Sequence, residues 1–227
     1  MKKLILISVM FALCLMVILT QSGNALFYNF ENDAQLKDWT VLGGTWQMVN
    51  DKINKSNVVS GEGQNDLLLS IGDNKWTDYT VEFDACGITD EVCIAFRIQD
   101  VNNFYAFMIA PSLNLSEWFI KNGGAFDENI AKKSDKLGIS INEWHKYKLV
   151  VEGMQAHIFV DGKSPFDPLE ISKGFEKGSI GLRQWSDVGH YDNVLITGPG
   201  IPRSPGEIGV NANSKLAHTW GYIKVQY

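Results

Sequence analysis

The chain has 227 residues, 45% hydrophobic and 20% charged, with 20 basic against 26 acidic side chains and a net charge of −6. That composition supports a packed globular domain, and the acidic balance without a basic run argues against nucleic acid or an anionic membrane as partner. Three cysteines and four scattered histidines do not make the usual ligand spacing of a structural zinc site.

Residues 1–25 read as a signal peptide: Lys2-Lys3, an apolar run from Leu4 to Leu19, and Gly23-Asn24-Ala25 as a small-residue cleavage site. The run falls short of the ~20 residues that span a bilayer. A secreted or periplasmic chain with no stable membrane span is therefore expected. Without Lys2 and Lys3 it keeps 18 basic residues against 26 acidic ones, a net charge of −8, and two cysteines, Cys86 and Cys93.

From Leu26 to about Gly61 come short β-like pieces, FYNFEND and DWTVLGGTWQMVNDKI, the second punctuated at Gly43-Gly44. Leu67 to Ile71 is another short run. The stretch Asp78–Ala110 then reads as three consecutive strands. Tyr79, Val81, Phe83 and Ala85 alternate with polar neighbours, and Val92, Ile94, Phe96 and Ile98 do the same. A connector folded about Thr89-Asp90 sets Cys86 opposite Cys93. This register pairs Val81 with Ile98 and Phe83 with Phe96 on an apolar face, and Glu82 with Arg97 and Thr80 with Gln99 on a polar one. A disulfide between Cys86 and Cys93 would staple that hairpin, and export permits it. After the Asp100–Asn103 turn, the simple register pairs Phe107 with Phe96 and sends Tyr105 inward.

SEWFIKNGGAF gives a further hairpin signal at Gly123-Gly124, and Glu143–Gly153 turns at Gly153-Met154 into Gln155–Gly162. Lys177–Trp185 and Tyr191–Ile196 complete the set. No stretch holds a capped helical period. Many short strands with glycine turns predict an all-β, two-sheet antiparallel sandwich or jelly roll over residues 26–197. Residues 198–212, rich in proline and glycine, read as a linker. Residues 213–227 regain β character, as a docking strand or as a tail that a partner recognises.

The segments AFRIQDVNNFYAF, EWHKYKLVVEGMQAHIFVDG and KGSIGLRQW…HYDNVLI resemble the concanavalin A-like, laminin-G-like jelly rolls. The likeness is strongest to the branch holding 3-keto-disaccharide hydrolase-like domains and levan-binding carbohydrate modules. The resemblance implies a sugar site on the concave sheet or its rim, built from arginine, carboxylates and aromatic rings. The carbohydrate-binding candidates are Glu82, Asp84, Arg97 and Gln99 on the polar face of the register, with Arg183 and Trp185 on one side of their strand. Such jelly rolls also hold a structural calcium between the first and last strands, for which Glu31, Asp33 and Asp192 are the candidate ligands.

No catalytic residue is assigned. Glu82 and Asp84 share a strand face, but the third acid of the jelly-roll glucanase pattern falls on Gly87. No zinc-protease motif or nucleophile elbow is present. The expected function is a secreted, non-catalytic carbohydrate-binding module whose partner is an oligo- or polysaccharide. The alternatives are a disaccharide hydrolase using Glu82 and Asp84 as acid and base, or a protein-interaction or adhesion module.

Overall fold

The computed structural model describes residues 24–127, 133–134, 137–171 and 174–202. Residues 1–23 of the expected signal peptide, the expected linker beyond Pro202 and the expected C-terminal tail lie outside these, whereas Ala25 already belongs to the first strand. Strands β1 (Ala25–Tyr28), β2 (Thr40–Gly43), β3 (Thr45–Asn50), β4 (Asn57–Glu62) and β5 (Asp66–Ile71) come first. Next are β6 (Tyr79–Gly87), β7 (Val92–Asp100), β8 (Asn103–Ala110), β9 (Leu115–Asn122), β10 (Ala125–Asp127) and β11 (Lys133–Ser134). The last are β12 (His145–Glu152), β13 (Gln155–Val160), β14 (Leu169–Glu170), β15 (Ser179–Trp185) and β16 (Gly189–Thr197). Short 3₁₀ turns occupy Asp33–Asp38 and Pro111–Leu113.

These strands form two antiparallel sheets, as the alternation of the sequence requires. One runs β14-β13-β12-β6-β16-β4-β3 with β1 on β16, and the other β10-β9-β8-β7-β15-β5-β2 with β11 on β9. The fold is a jelly-roll-like β-sandwich. Its core lies between the sheets, where Val81, Phe83, Ile94, Phe96, Tyr105, Phe107, Trp118, Leu149, Leu182 and Tyr191 pack together. Phe83 stacks on Tyr147 at 5.0 Å between ring centroids, and Phe96 meets Trp118 edge-on at 5.8 Å. Trp39, Trp46 and Trp76 are also buried in this core.

The cysteine hairpin is not present. β6 belongs to one sheet and β7 to the other, so the connector after Gly87 is an arch across the sandwich. The neighbouring β15–β16 connector makes the same crossing, and the two arches are tied where Ile88 N–H and Thr89 N–H both donate to the Val188 carbonyl. Cys86 and Cys93 are both buried free thiols. The apolar faces of β6 and β7 still meet, face to face through the core rather than edge to edge. Alternation alone cannot separate the two cases, because hairpin and arch bury the same residues.

A second departure lies at Arg97. Its backbone is left-handed at φ +53°, and the β7–β8 register shifts between Phe96 and Asp100. This bulge reverses the alternation. Ile98 joins an apolar cluster on the far side of its sheet. Arg97 N–H donates to the Tyr79 hydroxyl at 3.1 Å and its Nη2 to the Gly153 carbonyl at 2.8 Å. Phe96 therefore faces Tyr105 and Ile94 faces Phe107, and Tyr105 is fully buried as anticipated.

Candidate functional site

The expected polar constellation is divided among three places. Glu82 and Asp84 lie on the outer face of the β6 sheet. Glu82 stands opposite Lys148 and pairs with it at 3.3 Å, in place of the expected Arg97, and Asp84 pairs with Lys146 at 2.9 Å. Arg97 is buried in the sandwich, with Gln99 beside the bulge donating to the Arg97 and Lys177 carbonyls. Arg183 and Trp185 form the third group, on the outer face of the β15 sheet.

That face is concave. β10 and β15 stand four places apart in the sheet, about 19 Å on a flat one at ~4.8 Å per strand. Yet the Phe126 and Trp185 rings are 5.5 Å apart, so the sheet curls over itself. The trough floor explains how. Gly181, Ala95 and Ala106 follow one another across β15, β7 and β8, and Phe119 ends the row on β9. Three small side chains in a row leave space for long ones on either side to lie down across the sheet.

Arg183 occupies that space and is only 2% exposed. Its Nη2 lies 2.6 Å from Asp66 Oδ1, its Nη1 donates to Glu91 Oε1 at 2.7 Å, and Lys121 Nζ reaches Asp66 Oδ2 at 2.5 Å. The guanidinium is held between the rings of Phe119, at 5.0 Å, and Trp185, at 5.5 Å. Trp185 and Phe126 form the rim, 38% and 43% exposed. Burial raises the Glu91 carboxyl to about 7 against the pull of Arg183. Such a group exchanges a proton near neutrality.

Asp66, Glu91, Lys121, Phe119 and Phe126 were not anticipated. Glu117, Phe119 and Lys121 do share a period-2 face in the sequence, but nothing local tells which strands that face will oppose. Cys93 also lies here, across from Arg183 in register, and burial pushes its thiol well above the ordinary range.

The proposed calcium ligands are only partly assembled. Burial, then the nearby Asp84 and Glu31 carboxylates, raises Asp192 to about 7. Glu31 and Asp192 are thus close enough to feel each other, whereas Asp33 is exposed at the start of its 3₁₀ turn. Among the described residues no three His, Cys, Asp or Glu side chains converge as a metal cage. Asp84 stands opposite Asp192 in register, and both carboxylates accept from the Asn193 amide.

The sequence profile of the 3-keto-alpha-glucoside-1,2-lyase-like domain matches residues 25–197. The chain belongs to this family. Its fold is shared with carbohydrate binding module CBM66 from Bacillus subtilis, at TM-score 0.59 and 21% identity, over 71% of this chain and 96% of that one. It is shared also with the Bacillus licheniformis beta-glucanase, at TM-score 0.53 and 14% identity, over 78% of this chain and 100% of that one. At those identities the likeness is one of fold. No curated protein matches the chain. Among the described residues no helix is long and apolar enough to cross a membrane.

Proposed function

We propose that this chain is a saccharide-binding domain whose site is the concave face around Arg183 and Trp185, and that it acts outside the cytoplasm. One observation carries the reading: two part-exposed rings, Trp185 and Phe126, form the rim of a trough whose buried charges are already paired with one another. The rings offer flat apolar surface to the C–H face of a sugar, while Lys121, Asp66 and Glu91 hold the floor rigid. Paired charges of this kind suit recognition better than hydrolysis, which needs two carboxylates free to act on either side of a glycosidic bond.

Affinity electrophoresis and calorimetry against levan, inulin, β-glucan and their oligosaccharides test this. Trp185→Ala should weaken any detected binding at least ~10-fold while leaving the melting temperature nearly unchanged. Unchanged affinity in Trp185→Ala removes the concave face from consideration, and a protein partner becomes the better reading.

The family name supports a second reading, elimination on a 3-keto-glucoside. A base would take the C2 proton, made acidic by the C3 carbonyl, to give the enolate; collapse of the enolate would form the C1=C2 bond and break the C1–O bond, and the departing oxygen would take back the proton held by the base. Glu91, titrating at about 7 beside Arg183, is the group whose chemistry suits the base, with the guanidinium facing the enolate oxygen. A 3-keto-glucoside incubated with the protein would release its aglycone, and Glu91→Gln would stop the release without abolishing sugar binding. No release from the unmodified chain leaves binding as the function.

A structural calcium belongs to the same proposal. Glu31 and Asp192 would supply its carboxylate oxygens, with backbone carbonyls and water completing the shell. Chelator should lower the melting temperature and calcium restore it.

A further inference from the structure

The opposite outer face carries a cleft of about 460 Å³ that the concave site does not touch, between β3, β4 and β16. Its floor is a single row set by strand register: Gln47 on β3 faces Ser60 on β4, and Ser60 faces His190 on β16. Directly opposed side chains of this kind stand about 5 Å apart. The walls come from the β3–β4 turn with Lys52 and Ile53, from the β6–β7 arch with Ile88, and from Asn142 and Val188. The hydrogen bonds Ile88–Val188 and Asn142–Gly87 fix two of those walls to each other.

His190 is the chemical centre of the cleft. Its Nδ1 lies 2.8 Å from Asp51 Oδ1, and Asp51 is 1% exposed. Burial works against the charge of Asp51, but the Asn54 N–H, His190 and the Trp144 indole N–H outweigh it and hold the carboxyl below its ordinary range. An ionised carboxylate accepts only, so Nδ1 carries the proton, and in the neutral tautomer that leaves Nε2 as an acceptor. The imidazole is 13% exposed and lines the cleft. The orientation is the one a buried aspartate imposes on a working histidine.

Two further features suit a polar occupant. Beside the aliphatic Val49, Ile53, Ile88 and Val188, the lining carries the amides of Gln47, Asn50 and Asn142, the Ser60 hydroxyl and Lys52 against Asp51 and Glu62, with no Phe, Tyr or Trp. Beneath the floor, Gln184 is fully buried and its amide nitrogen and oxygen have no hydrogen-bond partner among the described residues. Two glycines lie over it: a Cβ at Gly61 would stand 2.6 Å from Gln184 Oε1, and one at Gly189 2.5 Å from Nε2.

We propose that this cleft is a second ligand site, for a neutral polyhydroxylated small molecule such as a mono- or disaccharide, with a ligand hydroxyl donating to His190 Nε2. Each hydroxyl is both donor and acceptor, which matches Gln47 and Asn142; Asp51 is already engaged by His190 and the Trp144 indole, which leaves Lys52 to balance Glu62. Recognition here runs on hydrogen bonds, not on ring stacking. Cys86, next in the row after His190, takes no part: it is buried and its thiol is raised to about 11 by burial and then by Asp51.

The test is nitrogen-15 NMR of the histidine-labelled full chain, titrated with glucose, maltose and sucrose up to roughly 50 mM, a range that captures millimolar affinities. The ring signals of His190, assigned by comparison with His190→Gln, should show the Nδ1–H tautomer, and Nε2 should shift saturably with at least one sugar. Trp185→Ala should leave that titration intact, and Gln47→Ala, on the exposed floor, should weaken it at least ~5-fold. An Nε2–H tautomer, no movement of His190 with any probe, loss of the titration in Trp185→Ala, or an unchanged midpoint in Gln47→Ala each overturns the second site. The Trp185→Ala arm also separates its failure from failure of the concave face.

Discussion

The two outer faces of the sandwich solve the same problem, polar groups on a sheet surface, in different ways. On the β15 sheet the charges are sunk beneath aromatic rings: Arg183, Asp66 and Glu91 are all buried, and the exposed atoms belong to Trp185 and Phe126. On the β6 sheet they stand in rows on the surface, Glu82 against Lys148 and Asp84 against Lys146, with both lysines exposed by more than 40%. Buried ion pairs fix geometry at a large desolvation cost, so losing one partner strands the others. Exposed pairs contribute little and can be changed freely. The first face is thus a rigid platform with an apolar lip, and the second is ordinary solvated sheet that gives way near β3 and β4 to a hydrogen-bonding cleft.

The sharpest way to break that comparison is to remove one charge from each face. Arg183→Met leaves Asp66 and Glu91 buried without their shared cation, which should cost about 3–5 kcal/mol. For a domain of this size that lowers the melting temperature by about 10 °C, read by calorimetry. Lys148→Ala should move it by no more than about 1 °C. Equal shifts would mean that the Arg183 cluster is not the rigid element described.

A smaller effect separates rim from floor. Trp185 is part-exposed and Phe126 more so, so truncating either should cost sugar affinity, by at least ~10-fold for Trp185→Ala, with little loss of stability. Arg183→Lys keeps the charge but loses the two-carboxylate fork. It should weaken stability and binding together, because the platform itself tilts.

Acid titration distinguishes the faces again. Without bound calcium, Asp192 and Glu91 are both raised to about 7, each chiefly by burial. The folded protein then keeps a proton that the unfolded chain releases near pH 4. That stabilisation is full below about pH 4 and is lost as the pH climbs through about 7. Melting temperature should fall by a few degrees over this interval from these groups alone. Asp192→Asn should flatten the fall without touching sugar affinity, whereas Glu91→Gln should flatten it and disturb the concave face. A slope unchanged in both variants would show that neither carboxyl holds its proton.

How much of this was legible beforehand depends on the range of the interaction. The strands, their turns and the inward faces follow from alternation and glycine placement: β12, β13, β15 and β16 lie almost where the sequence puts them. Tyr105, Phe83 and Phe96 are core residues, as their spacing implies. What alternation cannot carry is strand partnership. The eight-residue span from Cys86 to Cys93 fits a hairpin or an arch equally well, and choosing the hairpin put Glu82 beside Arg97 and bonded two thiols that are free. The bulge at Arg97 is equally silent, since an arginine with positive φ has no local signature. The clusters on both faces join residues more than fifty positions apart, Asp66 with Lys121 and Arg183, Asp51 with His190. Only topology brings these together.

The smallest expected effect is the most direct test of that lesson. If the hairpin register governed function, Glu82 would contact sugar alongside Arg97, and Glu82→Gln would weaken binding. In the sandwich Glu82 lies on the sheet opposite Trp185, answered by an exposed lysine 3.3 Å away. Glu82→Gln should therefore leave glycan affinity within twofold and move the melting temperature by no more than about 1 °C. A tenfold loss of affinity would place a saccharide on the β6 face, and since Glu82 shares that face with the His190 cleft, it would favour the hydrogen-bonding side of the molecule over the aromatic one.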